Sequence, residues 1–377
     1  MNEIFHHIKS FLKNQIVLSV AFLLAVLSTF FVHPDMNYLQ YIDYRTLSIL
    51  LCLMITMAGF QKLFVFRQIG EQLVGKMSSI RGVTFVLIFL CFFSAMFITN
   101  DVALLTFVPF TIVTLSLSQR PDLFIVVIVL ETVAANLGSM LTPLGNPQNL
   151  YLYSLAGLSL KEFVFLMLPY TLFSAVLLIF LTLIFIKKSP ATLKEQSSFS
   201  RSKKEKALLF MYFACFLVAL FVVARCVPYY VGLVLILLVV FLFDKSVLKK
   251  PDYSLLFTFI FLFVFIGNIK RIPALSNLLQ GLVNHNEVYI SILLSQVISN
   301  VPAAILCSGF TENIKDLIIG TNLGGLGTLI ASMASLISFT QYGYTEDANK
   351  RNYIFIFTLI NLLFLGCLIV LHSLLSL

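Results

Sequence analysis

Apolar runs near the roughly 20 residues that a helix needs to cross a bilayer recur along this chain from end to end, with no soluble domain between them. Of 377 residues, 59% are apolar and 11% charged, and the mean hydropathy is +0.99. Soluble domains carry roughly half apolar and a quarter charged residues. The expected fold is therefore an all-α polytopic membrane protein, with one transmembrane domain over 1–377.

Full crossings are expected at 16–32, 45–61, 122–142, 162–186, 207–224, 228–243, 253–268, 314–339 and 353–376. Two further apolar segments, 83–117 and 287–310, are each interrupted by a polar tip. If both are hairpins that return to their side of entry, the N-terminus is cytoplasmic and the C-terminus outside. The basic residues agree. Expected inside segments hold Lys9, Lys13, Lys62, Arg67, Lys76, Arg81, Arg120, Lys187, Lys188, Lys194, Arg201, Lys203, Lys204, Lys206, Lys245, Lys249, Lys250, Lys350 and Arg351, which is 19 of 25. That is the cytoplasmic bias of Lys and Arg in loops, so the net charge of +8 marks topology and not a nucleic-acid partner. The head carrying Lys9 and Lys13 resembles a signal peptide, but no small-residue cleavage site follows it, so a retained first helix is expected.

Length tests the hairpins. The arms Glu287 to Ile298 and Pro302 to Phe310 reach only about 18 and 14 Å at 1.5 Å per residue, too short for a core of about 30 Å. The second segment is thus expected to be re-entrant. The arms Val83 to Ile98 and Val102 to Leu117 almost span, which leaves the depth of the first tip open. The order of elements then repeats: a crossing, an amphipathic stretch, a hairpin, a polar-interrupted crossing and a long closing helix. The first amphipathic stretch carries Phe66, Ile69, Leu73, Met77 and Ile80 among Lys62, Arg67, Lys76 and Arg81, a pattern suited to the interface. The second carries Leu275, Leu278, Leu279 and Leu282. Two inverted repeats are expected at 16–187 and 228–377, joined by a basic cytoplasmic loop and linking helix at 188–227.

Two signatures accompany the repeat. The tips read Thr99-Asn100-Asp101-Val102-Ala103 and Ser299-Asn300-Val301-Pro302-Ala303, and the interrupted crossings contain Asn136-Leu137-Gly138-x-x-x-Thr142 and Asn322-Leu323-Gly324-x-x-x-Thr328. Irregular backbone at membrane depth is tolerated only where protein buries it or it lines a wet cavity. Ser, Thr, Asn and Asp cap new helix starts, and Pro302 suits a first turn. Each tip would then present oxygens, amides and the positive end of a helix dipole to the membrane centre, where helix starts attract anions and unwound carbonyls hold Na⁺. The plainer alternative is that these residues cap kinked structural helices. The segment Thr142-Pro143-Leu144-Gly145-Asn146-Pro147-Gln148-Asn149 cannot continue a regular helix, and its amides suit either a structural loop or one facing a solute or cation. The second half has Gly324-Gly325-Leu326-Gly327-Thr328 instead, followed by Ser332, Ser335 and Ser338, so the halves have diverged here.

Away from span ends, Asp101 and Glu131 are the carboxylates within the apolar segments. Intramembrane ionisable groups mark ion or proton paths when they are not paired structurally. Asp101 suits ion coupling or capping. Glu131 suits a proton acceptor, a cation ligand or a paired structural group. The cysteines at 52, 91, 215, 226, 307 and 367 form no Cys-x-x-Cys pair and read as small packing residues. His6, His7, His33, His285 and His372 show no metal-ligand spacing. Tyr38, Tyr41, Tyr44, Tyr151, Tyr153, Tyr229, Tyr230, Tyr342 and Tyr344 fall near span ends, as interfacial anchors do.

At Thr99-Asn100, Asn136-Leu137-Gly138, the Thr142 to Asn149 run, Ser299-Asn300 and Asn322-Leu323-Gly324, the sequence resembles the ion-transporter superfamily. That group holds arsenite permeases, sodium/proton antiporters, citrate permeases and divalent-anion/sodium symporters, and the match in element order covers nearly the whole chain. The resemblance implies a homodimer with a scaffold part and a moving transport part. In the divalent-anion symporters each tip reads Ser-Asn-Thr. Here the terminal threonine is replaced by Asp101 and Val301, and the Thr142 to Asn149 run looks closer to the arsenite-permease and antiporter branch with its anion-permease relatives.

The expectation is a secondary active transporter of a small anion, either a carboxylate such as citrate or a dicarboxylate, or an oxyanion or arsenite-like solute. Coupling would be to Na⁺ or H⁺, with no other cofactor. Thr99, Asn100, Ser299, Asn300, Asn146 and Thr142 would hold the solute. Asp101, Asn136, Gly138, Asn322, Gly324, Thr328 and Glu131 would serve the coupling ion. Na⁺/H⁺ antiport through Asp101 and Glu131 is the alternative. An intramembrane enzyme would need a set such as His-Glu-x-x-His or Gly-x-Gly-Asp, which no span contains, and an occluded midplane site disfavours a passive channel.

Overall fold

Polar residues placed just ahead of apolar runs set where most of the helices begin. The computed structural model describes residues 15–191 and 201–376, so Lys9, Lys13, His6, His7 and Lys194 lie outside the described residues. Asp43, Ser79, Asp252, Asn313 and Asn349 each accept a backbone N–H from the first turn of the following helix. Ser159 with Glu162 and Ser202 with Glu205 form capping boxes, which satisfy two otherwise orphaned donors reciprocally.

The helices so started, with the others longer than one turn, run in order as α1 (Ile16–Thr29), α2 (Tyr44–Lys62), α3 (Val65–Val74), α4 (Ile80–Ala95), α5 (Asn100–Leu117) and α6 (Phe124–Ser139), a single turn at Asn37–Gln40 standing between the first two. There follow α7 (Pro147–Ala156), α8 (Leu160–Phe185), α9 (Lys203–Val223), α10 (Tyr229–Asp244), α11 (Tyr253–Lys270) and α12 (Pro273–Val283). The chain ends with α13 (Glu287–Ile298), α14 (Asn300–Ser308), α15 (Ile314–Leu323), α16 (Met333–Tyr342) and α17 (Lys350–Leu375). The described residues contain no strand, only an isolated bridge between Ser79 and Pro190. Among them 8 helices are long and apolar enough to cross a membrane.

The long helices divide by what covers them. The apolar stretch of Pro121–Ser139 is 83% buried, whereas those containing α9 and α10 are 28% buried. The first is therefore the core and the others face lipid, with Phe210, Phe213, Phe221, Val234, Leu238 and Phe241 exposed. Around α6 pack α4, α5, α8, α16 and α17. The triplet α13, α14 and α15 forms a second tight group, and the halves cross-pack, α5 on α16 and α14 on α7. At the periphery α2 packs on α9 and α10, and α1 on α11. The short α3 and α12 leave Ile69, Leu73, Leu275, Leu278 and Leu282 exposed, which suits helices lying at an interface.

Several expectations change. The crossing expected at 314–339 is two helices, α15 and α16, separated by nonhelical residues 324–332. The first crossing is shorter than expected, 14 residues. The run ending at Asn149 does not stay a loop, because Pro147 starts α7 at a position where its missing N–H costs nothing. That helix carries Tyr151 and Tyr153 inward. Both are buried, as is Tyr342, so they are packing residues and not interfacial anchors, and the Tyr151 hydroxyl meets Ser308 Oγ at 2.9 Å. Of the cysteines, Cys226 is exposed and not packed.

One ion pair fastens the peripheral helices. Lys62 Nζ donates to Asp244 Oδ1 and Oδ2 at 2.7 and 2.8 Å and to Ser246 Oγ at 2.9 Å, while the Tyr212 hydroxyl donates to Asp244 Oδ2 at 2.9 Å. The cluster joins α2, α9 and α10. The Asp244 side chain is 7% exposed and Lys62 is 44% exposed, so removing the cation strands a buried carboxylate. Lys62→Met is expected to lower stability by about 1–3 kcal/mol, below the loss for a fully buried pair because Lys62 is partly solvated. Tyr212→Phe should lose about 1 kcal/mol. Thermal unfolding in detergent checks both.

Candidate functional site

The turns between α4 and α5 and between α13 and α14 have the same backbone. Thr99 sits at φ 55°, ψ 147° and Ser299 at φ 74°, ψ 155°, a region that is essentially glycine-only and costs other residues about 1–3 kcal/mol. Matching hydrogen bonds hold both turns. The Asn100 N–H donates to the Gly145 carbonyl at 3.1 Å, and the Asn300 N–H donates to the Ala331 carbonyl at 3.0 Å. Thr142 Oγ1 donates to the Met96 carbonyl, and Thr328 Oγ1 to the Gln296 carbonyl. Met96 and Gln296 each stand three residues before their tip, and Gly145 and Ala331 each directly precede the first residue of the next helix start. Each tip is thus tied to the break in its own half.

Four helix starts meet at these ties, those of α5, α7, α14 and α16. Their N-cap residues are Thr99, Asn146, Ser299 and Ser332, all good cappers, yet none makes a side-chain cap. The expectation that the tip residues cap their helices is corrected for Thr99 and Ser299, whereas Asn100 Oδ1 does accept from the first-turn N–H of Asp101 at 2.9 Å. Asn146 Nδ2 donates to Ser139 Oγ at 2.6 Å, and Ser332 Oγ donates to Asn136 Oδ1 at 3.1 Å. The first-turn N–H groups, which carry the positive end of the helix dipole, keep no cap from these side chains.

Amide side chains join the halves. Asn136 Oδ1 accepts from Asn100 Nδ2 at 2.8 Å as well as from Ser332. Asn322 Nδ2 donates to Asn149 Oδ1 at 2.6 Å and to the Ile318 carbonyl at 2.7 Å. The tips are therefore linked through Asn100, Asn136 and Ser332, the residue after Ala331. Asn136 Nδ2, Asn322 Oδ1 and both amide atoms of Gln148 are buried without a partner. Buried polar groups are nearly always hydrogen-bonded, so such exceptions point to a ligand or water. Gly138 and Gly324 let the backbones approach. A Cβ on Gly138 would strike the Phe92 carbonyl, and one on Gly324 would meet Ser295 Oγ at 2.6 Å.

Beside the first tip lies a cavity of about 210 Å³ lined by Thr99, Asp101 and Asn146 together with Gln61, Lys250 and Asp252. It is smaller than the roughly 300–1,000 Å³ of drug-sized sites, so it suits a small solute. Of the candidate residues, Thr99, Asp101 and Asn146 reach this cavity. Asn100, Ser299, Asn300, Asn136 and Asn322 are buried in the network beside it, Thr142 and Thr328 brace the tips, and Gly138 and Gly324 serve packing. Glu131 stands apart, fully buried on α6, with Oε1 accepting from Thr111 Oγ1. Sequence reasoning missed Lys250, Asp252 and Gln296. Lys250 reads only as an inside loop charge, and Asp252, the N-cap of α11, draws no reading. Gln296, whose amide bonds the Gly324 and Leu326 carbonyls at 3.1 and 2.9 Å, was legible as the one amide in the short arm Glu287–Ile298.

Membrane-crossing helices wrapped around a buried, twice-repeated break in helical backbone define a multi-pass membrane transporter. The citrate transporter family matches residues 11–315, and the chain belongs to that family. It is 37% identical over 254 residues to an uncharacterized transporter of Methanocaldococcus jannaschii, covering 67% of this chain and 68% of the relative. It is 30% identical over 300 residues to the inner membrane protein YbiR of Escherichia coli, covering 79% of each.

Two substitutions test the site's construction. Ser299→Gly should be more stable than Ser299→Ala by roughly 1 kcal/mol, since only glycine relieves the tip's backbone strain. Gly138→Ala should lower the unfolding temperature sharply, whereas Gly281→Ala, with open space around it, should not. Thermal melts of the four purified variants decide both comparisons.

Proposed function

We propose that this protein is a secondary active transporter of a small anion, a carboxylate such as citrate or a dicarboxylate, or an oxyanion or arsenite-like solute, coupled to Na⁺ or H⁺. The observation that carries this reading is the meeting of four helix starts whose N-cap residues Thr99, Asn146, Ser299 and Ser332 make no side-chain cap, while the Asn100 and Asn300 N–H groups are held by carbonyls and the Asp101 N–H by Asn100 Oδ1. Helix N-termini attract anions through their dipole and remaining N–H groups. The unpartnered amide atoms of Asn136, Asn322 and Gln148 supply further donors and acceptors for a polar solute, and membership of the citrate transporter family favours citrate as the first solute to try.

Asp101 explains the need for a coupling cation. It shares the cavity with Thr99, so a bare carboxylate there repels an anion unless a proton or cation accompanies it, and Lys250 offsets only part of that charge. In this reading the two halves are inverted repeats, the hairpin of α13 and α14 is re-entrant, and the site alternates between faces in a homodimer with its N-terminus cytoplasmic. Na⁺/H⁺ antiport is the second reading. It draws on Asp101 and Glu131 having no ion-pair partner among the described residues.

Proteoliposomes separate these readings. Uptake of citrate, succinate, arsenite and radiolabelled Na⁺ is measured under imposed Na⁺ or H⁺ gradients. The expected result is gradient-driven accumulation of an anion, with loss of coupling in Asp101→Asn. Na⁺ movement driven by a pH gradient without any anion would establish antiport instead. No gradient dependence for any solute would overturn secondary transport.

A further inference from the structure

Glu131, Asp244 and Glu287 are the acidic side chains buried among the described residues. Asp244 is held by Lys62, and Glu287 accepts from Thr311 at 2.6 Å near the start of α13. Glu131 has no such setting. It is 0% exposed on the most enclosed helix of the fold, its Oε1 accepts from Thr111, and its Oε2 has no partner. The titratable groups that face it are Cys91 on α4 and Tyr353 on α17. From α5 comes Thr111, which donates to it, and the buried polar residues of α16, which packs on α6, are Ser335, Ser338 and Tyr342. The buried faces of α8 and α15 bring no Lys, Arg, Asp or Glu. A buried carboxylate is costly unless paired, and Glu131 has no ion-pair partner among the described residues.

Polar groups lead away from it in two directions. On α6, Asn136 follows five residues later, roughly 7.5 Å along the helix, and Asn136 holds both Asn100 and Ser332. In the other direction the Tyr353 hydroxyl lies beside Thr132 without a hydrogen-bond partner, and its ring stacks on Tyr342 at 5.0 Å. Tyr342 lines a separate surface cavity of about 950 Å³ with Gln119, Gln341, Glu346 and Asp347. That cavity is not the one at Asp101. Its rim lies next to Arg120, Lys350 and Arg351, on the face that the basic residues mark as cytoplasmic.

We propose that Glu131 is a proton-binding site distinct from the tips, loaded and emptied through the second cavity by way of Tyr342 and Tyr353. The proton adds to Glu131 Oε2 from water at the Tyr353 hydroxyl and returns by the same route. Asn136 connects the site to both halves of the amide network, so the protonation state of Glu131 and the arrangement of the tips bias each other. The proton-binding site stands on its own geometry. Its role as the coupling site rests on the secondary-transport reading above.

Infrared spectroscopy of the full-length protein in lipid tests the site without transport, in an Asp101→Asn background that removes the other intramembrane carboxyl. The expected result is a protonated carboxylic-acid carbonyl band that disappears in Glu131→Gln and shifts in Thr111→Val. A spectrum unchanged by both variants overturns the site. Tyr353→Phe should slow the shift of that band on transfer to deuterated water, and an unchanged rate overturns the route. In proteoliposomes loaded with a pH dye, Glu131→Gln should lose citrate-driven proton movement and retain citrate counterflow. Retained proton movement overturns the coupling role. Wild type that moves no citrate while the band behaves as expected overturns the transport reading and leaves the proton site standing.

Discussion

The structure depends on how the chain satisfies backbone polar groups where it stops being helical inside an apolar bundle. Lipid offers no hydrogen bonds, so irregular backbone must find partners within the protein. The tips at Thr99 and Ser299 do so by lending the next N–H to the carbonyls of Gly145 and Ala331, so a tip and a break in each half complete each other. This explains why the halves repeat the elements together. A hairpin without its broken partner would bury an unsatisfied N–H beside a strained residue, and a break without the tip would leave a bare carbonyl. The same economy leaves the side chains of Thr99, Asn146, Ser299 and Ser332 released from capping, and that release makes a site of what would otherwise be a kink.

Much of this was legible in the sequence because breaks in an apolar chain announce themselves. The pairs Thr99-Asn100 and Ser299-Asn300, and the spaced Asn136/Thr142 and Asn322/Thr328, stood out against their surroundings and fell where the structure places the turns. The helix bounds of α2, α8, α10 and α17 also followed closely from run length. What stayed hidden has physical causes. Residues 314–339 read as one crossing interrupted near Thr328, and what the apolar glycines there conceal is that the break runs over 324–332 and parts two helices. Pro147 was read as a helix stop, since proline signals both an end and a first turn, and only the carbonyl geometry upstream decides between them. A Ser or Thr before an apolar run gives the same sequence pattern whether it caps or not, so the uncapped starts were invisible until their partners were seen. Lys250 and Asp252 reach the cavity through tertiary packing alone, with nothing local to mark them.

The two halves share a backbone plan and differ in charge. Asp101 follows the first tip where Val301 follows the second, and Glu131 stands five residues before Asn136 where Leu317 stands five before Asn322. Both intramembrane carboxyls therefore lie in the first half, while the second contributes serines at Ser299, Ser332, Ser335 and Ser338. Equal halves would give a site with equal affinity for an ion from either tip. The unequal ones place Asp101 and Glu131 on α5 and α6, which pack against each other and against α16 of the other half. That seam between halves is bridged by the hydrogen bond from Ser332 to Asn136.

That seam also decides which surfaces have to be permissive. The core helix α6 touches both groups and is almost fully enclosed, so under the proposed alternating access any movement of one half against the other would fall where contacts are sparse or apolar. The cavity beside Thr99 has such a boundary: its wall includes Met57, Met54, Leu53 and Phe97 facing the tip. Methionine side chains adapt to changing neighbours at little cost, and apolar contacts have no direction to break. The directional bonds, by contrast, concentrate within the tips and breaks and in the Lys62, Asp244 and Tyr212 cluster on the far side of α2. Hydrogen bonds therefore hold each tip to its break and α2 to its peripheral neighbours, while the contact between the first tip and α2 is apolar, which is a distribution the proposed alternating access could use.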